Sequence, residues 1–436
     1  MIRNIVIGID GGCFESIQPL LSLNLLPNFK KLIENGFSAH LQVTIPHQTI
    51  PSWPCLFSGQ SVDQLGYYTF IHPEKGIFNS TVWKDEAILS IKELKVFALN
   101  IPGAYPAWKI NGEIISGILS PSISCFPKEL EIIIRKNWIV EGKNISEIFK
   151  AFDMKKRLFL RKLKEDFDLL VFVIRVPDAL SHRVIGDKKT ISGHINYGYK
   201  KIDDFLGEII KQNNYDNLII FSDHGLKFYK KVFNFPRWLE KNRLLYLNYT
   251  REKKLNSIIL KLYDFIRPFM RTQFSKKIYG KFFDVEEREK QLRKDKGFNS
   301  FDKNNPHTFI QKLTSNMGAL FLSGKDKYKK EKIKHALSSD KDIVNVIEYN
   351  KDGFPDFIIA LKDNYVFTKE PSFFLKRRTE AFSHTNRGLF IASGKSIRKG
   401  KENLINFQDI APTILKLYKI DKPDYMKGKI LDIINK

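Results

Sequence analysis

The sequence predicts an α/β protein with a mostly parallel central sheet and helices on both faces. Three features carry that prediction. Short apolar runs rich in β-branched and aromatic residues recur along the chain. Helix-spaced segments lie between them, and residues suited to chemistry stand just beyond the ends of the runs. The runs are Ile5 to Ile9, Val96 to Leu99, Leu169 to Ile174, Asn217 to Phe221, Phe357 to Ala360 and Gly388 to Ala392. They are largely apolar rather than alternating, which is how strands covered on both faces read.

The intervening segments keep the helical period. In Leu26 to Asn35, Leu26, Phe29, Leu32 and Ile33 share a face after Ser22, and in Lys200 to Gln212 the same holds for Ile202, Phe205, Leu206 and Ile209. Alternation of strand and helix predicts parallel strands, with ligands bound at their carboxyl ends. The rhythm breaks from Phe228 to Asn305, where Lys and Arg are frequent and Lys261 to Phe283 mixes basic and aromatic residues. The expectation is an α/β core over 1–227 and 306–436, carrying a basic, mainly helical cap inserted at 228–305.

Composition narrows the class. The chain has 436 residues, 43% hydrophobic and 28% charged, which excludes a disordered, collagenous or disulfide-stapled protein. A formal net charge of +24 favours anionic partners such as phosphate esters, nucleic acid or a membrane surface. The three cysteines, Cys13, Cys55 and Cys125, suit a reducing compartment. Met1 to Asn4 leads straight into the first strand without the pattern of a signal peptide, and no apolar run approaches the roughly 20 residues that span a bilayer. The expectation is a soluble, cytoplasmic protein for which peripheral contact with a membrane stays open.

The chemistry-bearing residues cluster at predicted strand ends. Asp10 follows the first strand in Ile9-Asp10-Gly11-Gly12. After Ile174 comes Pro177-Asp178-Ala179-Leu180-Ser181-His182, and on a helix Asp178 and His182 project from one face, as two ligands of one metal must. Ser222-Asp223-His224-Gly225 follows Phe221, and His384 precedes the run beginning at Gly388. Such a set of oxygen and nitrogen donors suits a two-metal site that clamps an in-line displacement. Thr49, in the proline-rich segment Ile45 to Gly59, is the nucleophile candidate, because a hydroxyl attacks phosphorus well at neutral pH only when a base or a metal lowers its pKa.

These residues resemble the alkaline phosphatase superfamily, in particular its type I phosphodiesterase and nucleotide pyrophosphatase family. The similarity runs from Gly8-Ile9-Asp10-Gly11 through Thr49-Ile50-Pro51-Ser52-Trp53, Asn100-Ile101-Pro102-Gly103, Asp178 with His182, and Ser222-Asp223-His224-Gly225. It ends at Asp409-Ile410-Ala411-Pro412-Thr413 and Met426-Lys427-Gly428. The resemblance implies an alkaline-phosphatase-like fold and two divalent ions, zinc-like, with manganese or iron as alternatives. It assigns one ion to Asp10, Thr49, Asp223 and His224 and the other to Asp178, His182 and His384. It implies Thr49 as the nucleophile of a covalent phospho-enzyme. The implied substrate is a small anionic phosphate ester, such as a nucleotide, lipid headgroup or phosphorylated glycan, and no nucleic acid partner is required.

The same segment separates branches. Sulfatases of the superfamily place a Cys, then Pro and Arg, where this chain has Thr49, Pro51 and Trp53. Where nucleotide pyrophosphatases often carry a phosphate-binding Asn, this chain has Ser52, whose hydroxyl is expected to donate one hydrogen bond to substrate. The same ligand set also suits a phosphoryl transferase or a phosphomonoesterase. A reading of another class, a non-catalytic basic module on nucleic acid or membrane, rests on the charge and Lys261 to Phe283. It leaves the ligand set without a purpose.

Overall fold

The fold, a computed structural model, describes residues 2–245 and 308–435, apart from 73–74, 119, 135–137, 185–186, 315, 352, 363 and 370–375. Most of the expected cap, including Lys261 to Phe283, lies outside the described residues. The chain divides into two compact units, Met1–Tyr229 with Glu380–Lys436, and Lys230–Thr379.

The first unit is built on a nine-stranded sheet. Its spatial order is Gly400–Asn406, Phe37–Gln42, Arg387–Gly394, Asn217–Phe221, Asn4–Ile9, Leu169–Ile174, Val96–Ile101, Gly112–Ser116 and Cys125–Phe126. Neighbours from Asn217–Phe221 to Gly112–Ser116 are all parallel, and Arg387–Gly394 and Cys125–Phe126 run the other way. Asn4–Ile9, Leu169–Ile174 and Asn217–Phe221 are buried along their whole length, as their unbroken apolar character predicts.

Side chains alternate across this sheet. Ile5, Ile7 and Ile9 join the core cluster holding Phe29, Phe159, Phe172, Ile202 and Phe205, supplied in part by helices Pro27–Asn35, Ile145–Lys162 and Lys188–Gln212. Helix Pro27–Asn35 has no side-chain cap of its own. Asp203 supplies it instead, accepting from the Asn28 and Phe29 amides at 3.2 and 2.8 Å.

On the opposite face Gly8 leaves room for Trp53, which packs on Phe57 and Phe221. A Cβ on Gly8 would lie 2.4 Å from the Trp53 ring and 3.1 Å from Val173. Gly8→Ala is therefore expected to destabilise the protein by about 1–3 kcal/mol through overpacking. Urea denaturation checks this: the midpoint should fall with the slope unchanged, and an unchanged midpoint would show that the ring has somewhere else to go.

The second unit has its own antiparallel sheet, ordered Phe309–Lys312, Met317–Phe321, Phe357–Leu361 and Ile343–Glu348. Its core holds Phe233, Phe235, Trp238, Leu320, Phe357 and Phe367. Two expectations are corrected here. Described residues from 308 to Thr379 belong to this unit rather than to the main core, and Phe357–Leu361 is an inner strand of the smaller sheet. An apolar run records that both faces of a strand are covered, not which sheet it enters. The break in rhythm expected at Phe228 is also placed differently, since Gly225–Asn234 is a strand. Among the described residues no helix is long and apolar enough to cross a membrane, and Cys13, Cys55 and Cys125 are buried and free.

Candidate metal centre

Three adjacent strands of the first unit release their chemistry at one edge. Asp10 follows Asn4–Ile9, Arg175 and helix Val176–Arg183 follow Leu169–Ile174, and Ser222, Asp223 and His224 follow Asn217–Phe221. Arg387–Gly394 is antiparallel to Asn217–Phe221, so its beginning meets the ends of the others and brings His384 to the same edge. Ser222 knits the edge together: its hydroxyl donates to the Gly12 carbonyl at 2.7 Å and accepts from the Leu389 amide at 2.8 Å. Gly11 adopts a left-handed φ of 75°, open to glycine at little cost, and its amide points at Asp223 Oδ1, 3.3 Å away.

Six of the expected residues come together in two groups of three, Asp178, His182 and His384, and Asp10, Asp223 and His224. In the first, Asp178 Oδ1, His182 Nε2 and His384 Nε2 are each 3.2 Å from the other two. In the second, His224 Nε2 lies 3.3 Å from Asp10 Oδ1 and 3.4 Å from Asp223 Oδ2. The groups adjoin, because the His224 and His384 rings stack with centroids 3.7 Å apart.

These spacings have a chemical meaning. Oxygen and nitrogen ligands about 2.0–2.2 Å from a tetrahedral ion lie roughly 3.3–3.6 Å from each other. Asp10 Oδ1, Asp178 Oδ1, Asp223 Oδ2 and His224 Nε2 are all buried without a hydrogen-bond partner. His384 directs Nδ1 to the His47 carbonyl and His224 directs Nδ1 to the Gly225 carbonyl, both at 3.2 Å. With the proton on Nδ1, each Nε2 presents a lone pair to carboxylate oxygens. Facing lone pairs are held apart unless a cation or a proton lies between them, and a histidine that donates its other N–H to a carbonyl is set up as a metal ligand. The donor set fits a divalent ion in each group.

The charges point the same way. Burial and the neighbouring Asp10 push Asp223 well above the usual carboxylate range. Burial would lower His224, but Asp223 and Asp10 outweigh it and raise the imidazole to about 10. Burial pushes Asp178 up too, yet His182, His384 and Arg175 hold it well below the ordinary range. His384 is lowered by burial and by His224. Positive charge is thus drawn to His224, between Asp10 and Asp223, and disfavoured at His384 beside it.

Thr49 opens the helical segment Thr49–Ser58, half-buried, two residues after His47, whose carbonyl meets His384. Ser52 follows on the same segment. It is 1% exposed, and its hydroxyl is 2.5 Å from that of Thr44, which also lies 3.0 Å from the Pro46 carbonyl. Either hydroxyl of that pair can be the donor, so the Ser52 hydroxyl has a protein partner in place.

Sequence reasoning missed Arg175 and Glu141. Arg175 is 12% exposed at its side chain and reaches Asp10, Asp178 and Glu141. The signal was present, since a cation directly after an apolar strand and three residues before a candidate ligand stands where water is scarce.

A model of the type I phosphodiesterase/nucleotide pyrophosphatase family matches residues 4–380. The chain belongs to that family. It is a phosphodiesterase-type hydrolase, and the family is metal-dependent. Among solved structures, murine ectonucleotide pyrophosphatase/phosphodiesterase 5 superposes with a TM-score of 0.57 at 14% identity, covering 99% of this chain and 100% of that one. The murine protein as an inactive threonine-to-alanine variant in complex with AMP gives 0.57 at 13% identity, with 100% of each chain covered. The human counterpart gives 0.55 at 14% identity, again over 100% of each. At these identities the likeness shows the fold, the alkaline-phosphatase-like α/β architecture. No curated protein matches the chain.

Proposed function

We propose that this family member is a two-ion enzyme that hydrolyses nucleotide phosphodiesters or pyrophosphates, with Thr49 as nucleophile. The observation that carries the reading is the pair of three-residue groups in which carboxylate oxygens and imidazole nitrogens face each other at 3.2 to 3.4 Å. In this reading Asp10, Asp223, His224 and Thr49 hold one ion, and Asp178, His182 and His384 hold the other. Three imidazoles among carboxylates favour zinc over manganese or iron.

Bound there, divalent ions would lower the pKa of the Thr49 hydroxyl and neutralise charge on the phosphoryl oxygens. Thr49 Oγ forms a bond to phosphorus as the bond to the leaving group breaks, and the nucleoside monophosphate is left esterified to Thr49. Water then attacks the same phosphorus, and the threonine hydroxyl is restored with release of the monophosphate. The inactive threonine-to-alanine variant of the murine relative, seen with AMP, is in keeping with a threonine needed for activity and with a nucleotide ligand. A net charge of +24 supports an anionic substrate.

The test compares bis-p-nitrophenyl phosphate, p-nitrophenyl phosphate, p-nitrophenyl sulfate and the p-nitrophenyl ester of thymidine monophosphate, using zinc-loaded and manganese-loaded protein. Diesters should turn over fastest, the nucleotide ester above all, and sulfate not at all. Exhaustive chelation should reduce turnover by at least about 100-fold, reversibly on adding zinc. Full turnover after chelation would remove the ions from the mechanism, and preference for the monoester would move the reading to a phosphomonoesterase.

A further inference from the structure

Arg175 touches both candidate ligand groups without belonging to either. It lies between strand Leu169–Ile174 and helix Val176–Arg183. Its Nε donates to Asp10 Oδ2 at 2.9 Å, its Nη2 to Asp178 Oδ2, and its Nη1 to Glu141 Oε1 at 2.6 Å. The second oxygens, Asp10 Oδ1 and Asp178 Oδ1, are the ones left without a hydrogen-bond partner and turned to the imidazole nitrogens. A single guanidinium thus divides the two carboxylates in the same sense, one oxygen of each taken and one left free.

We propose that Arg175 is a positioning residue that confines Asp10 and Asp178 to single-oxygen coordination, reserving the remaining places on the two ions for Thr49 and substrate. The inference rests on the two-ion reading above. A carboxylate with both oxygens free can bind a cation through one or through both. The planar guanidinium makes two directed, charge-assisted bonds at once, which an ammonium on a flexible stem does not reproduce. Glu141 holds the far side of the guanidinium. Its own loop is fastened by the buried Lys155, whose amine donates to the Val140 carbonyl at 2.8 Å and to Asn100 Oδ1 at 2.9 Å.

The sign of the effect follows from charge. Arg175 repels a bound cation even as it orients that cation's ligands. Its removal frees a second oxygen on each aspartate and lifts the repulsion. The ions should then be held at least as tightly, while the positions needed by substrate are filled. A residue that only braced the fold would, when removed, lose metal and activity together.

The test uses the full-length protein loaded with cobalt(II), comparing wild type, Arg175→Met and Arg175→Lys. Three readouts are taken: visible absorption, cobalt affinity by competition with a chromophoric chelator, and kcat and KM for bis-p-nitrophenyl phosphate. In Arg175→Met the intense bands of four-coordinate cobalt should give way to the weak bands of higher coordination. Affinity should be unchanged or raised, and kcat should fall about tenfold to 100-fold, the range seen when an outer partner of a metal ligand is removed. Arg175→Lys should restore the spectrum only in part. Glu141→Gln, which leaves the guanidinium in place with one partner weakened, should move the spectrum in the same direction by less, and it serves if Arg175→Met does not fold. A variant spectrum identical to wild type, or affinity and kcat falling together tenfold or more, overturns the inference. Wild-type protein that binds no cobalt overturns the two-ion reading first, and this inference with it.

Discussion

Thr49→Ala is expected to cut diester turnover by at least about 1,000-fold while both ions stay bound, because removing a nucleophile costs more than removing any group that assists it. The proposed mechanism forms its first new bond at Thr49 Oγ. Ser52, the hydroxyl three residues on, is no substitute, being buried and bonded to Thr44. The three remaining donors around His224 still stand at coordination spacing. Thr49 is only half-buried, so losing its hydroxyl and methyl opens little cavity, and the denaturation midpoint should hold. Thr49→Ser keeps the nucleophile with a looser χ1 and should retain turnover within roughly tenfold. Rapid quench with a labelled nucleotide diester should trap the nucleoside monophosphate on Thr49 in the wild type and none in the alanine variant. Alanine-variant turnover above a tenth of wild type would end the nucleophile reading.

The candidate site was legible where chemistry follows directly on a strand. Asp10, Asp178 with His182, and Asp223 with His224 each come after an apolar run, and parallel strands must deliver such residues to a common edge. His384 was legible by type and position only. That it joins the others depends on Arg387–Gly394 entering the sheet in the opposite direction, which its apolar residues do not encode. The partner of Ser52 was not legible, because its hydroxyl meets that of Thr44, eight residues earlier, and spacing in sequence says nothing of which hydroxyl finds which. Arg175 is hard to read from the sequence for a different reason. Beside Asp178 in the sequence it resembles one half of an ordinary surface ion pair, and only burial makes it a fixed charge between two aspartates.

The fold follows the same division. Each expected strand formed, and helix Lys188–Gln212 carried the expected apolar face over Ile202, Phe205, Leu206 and Ile209 into the core. Partners were the less legible part. Phe357–Leu361 is as apolar as Leu169–Ile174, yet it pairs antiparallel with Met317–Phe321 and Ile343–Glu348 in the second unit. Local pattern fixes what a segment is, and long-range pairing fixes where it goes.

Asp178→Asn should abolish metal-dependent turnover by about 1,000-fold or more, with loss of bound metal as the cause. Asp178 faces two demands at once. Oδ2 accepts from Arg175, and Oδ1 stands 3.2 Å from both His182 and His384 as a candidate ligand. An amide of the same shape has one oxygen. If that oxygen turns to Arg175, an NH2 group faces the ion, and if it turns to the ion, donor faces donor at the guanidinium. Either orientation also removes a negative charge that Arg175 and a cation share, leaving a buried cation less well compensated. Metal analysis after gel filtration should show at least one ion lost per chain, and added zinc should not restore turnover at concentrations that saturate the wild type. Asp187→Asn, at the exposed cap of helix Lys188–Gln212, is the matched control, since Asp187 accepts from the Thr190 amide at 2.9 Å and belongs to neither group. It should keep full metal content and turnover. Equal metal content in the two variants would mean that Asp178 answers to Arg175 alone, and the group around His384 would lose its claim to an ion.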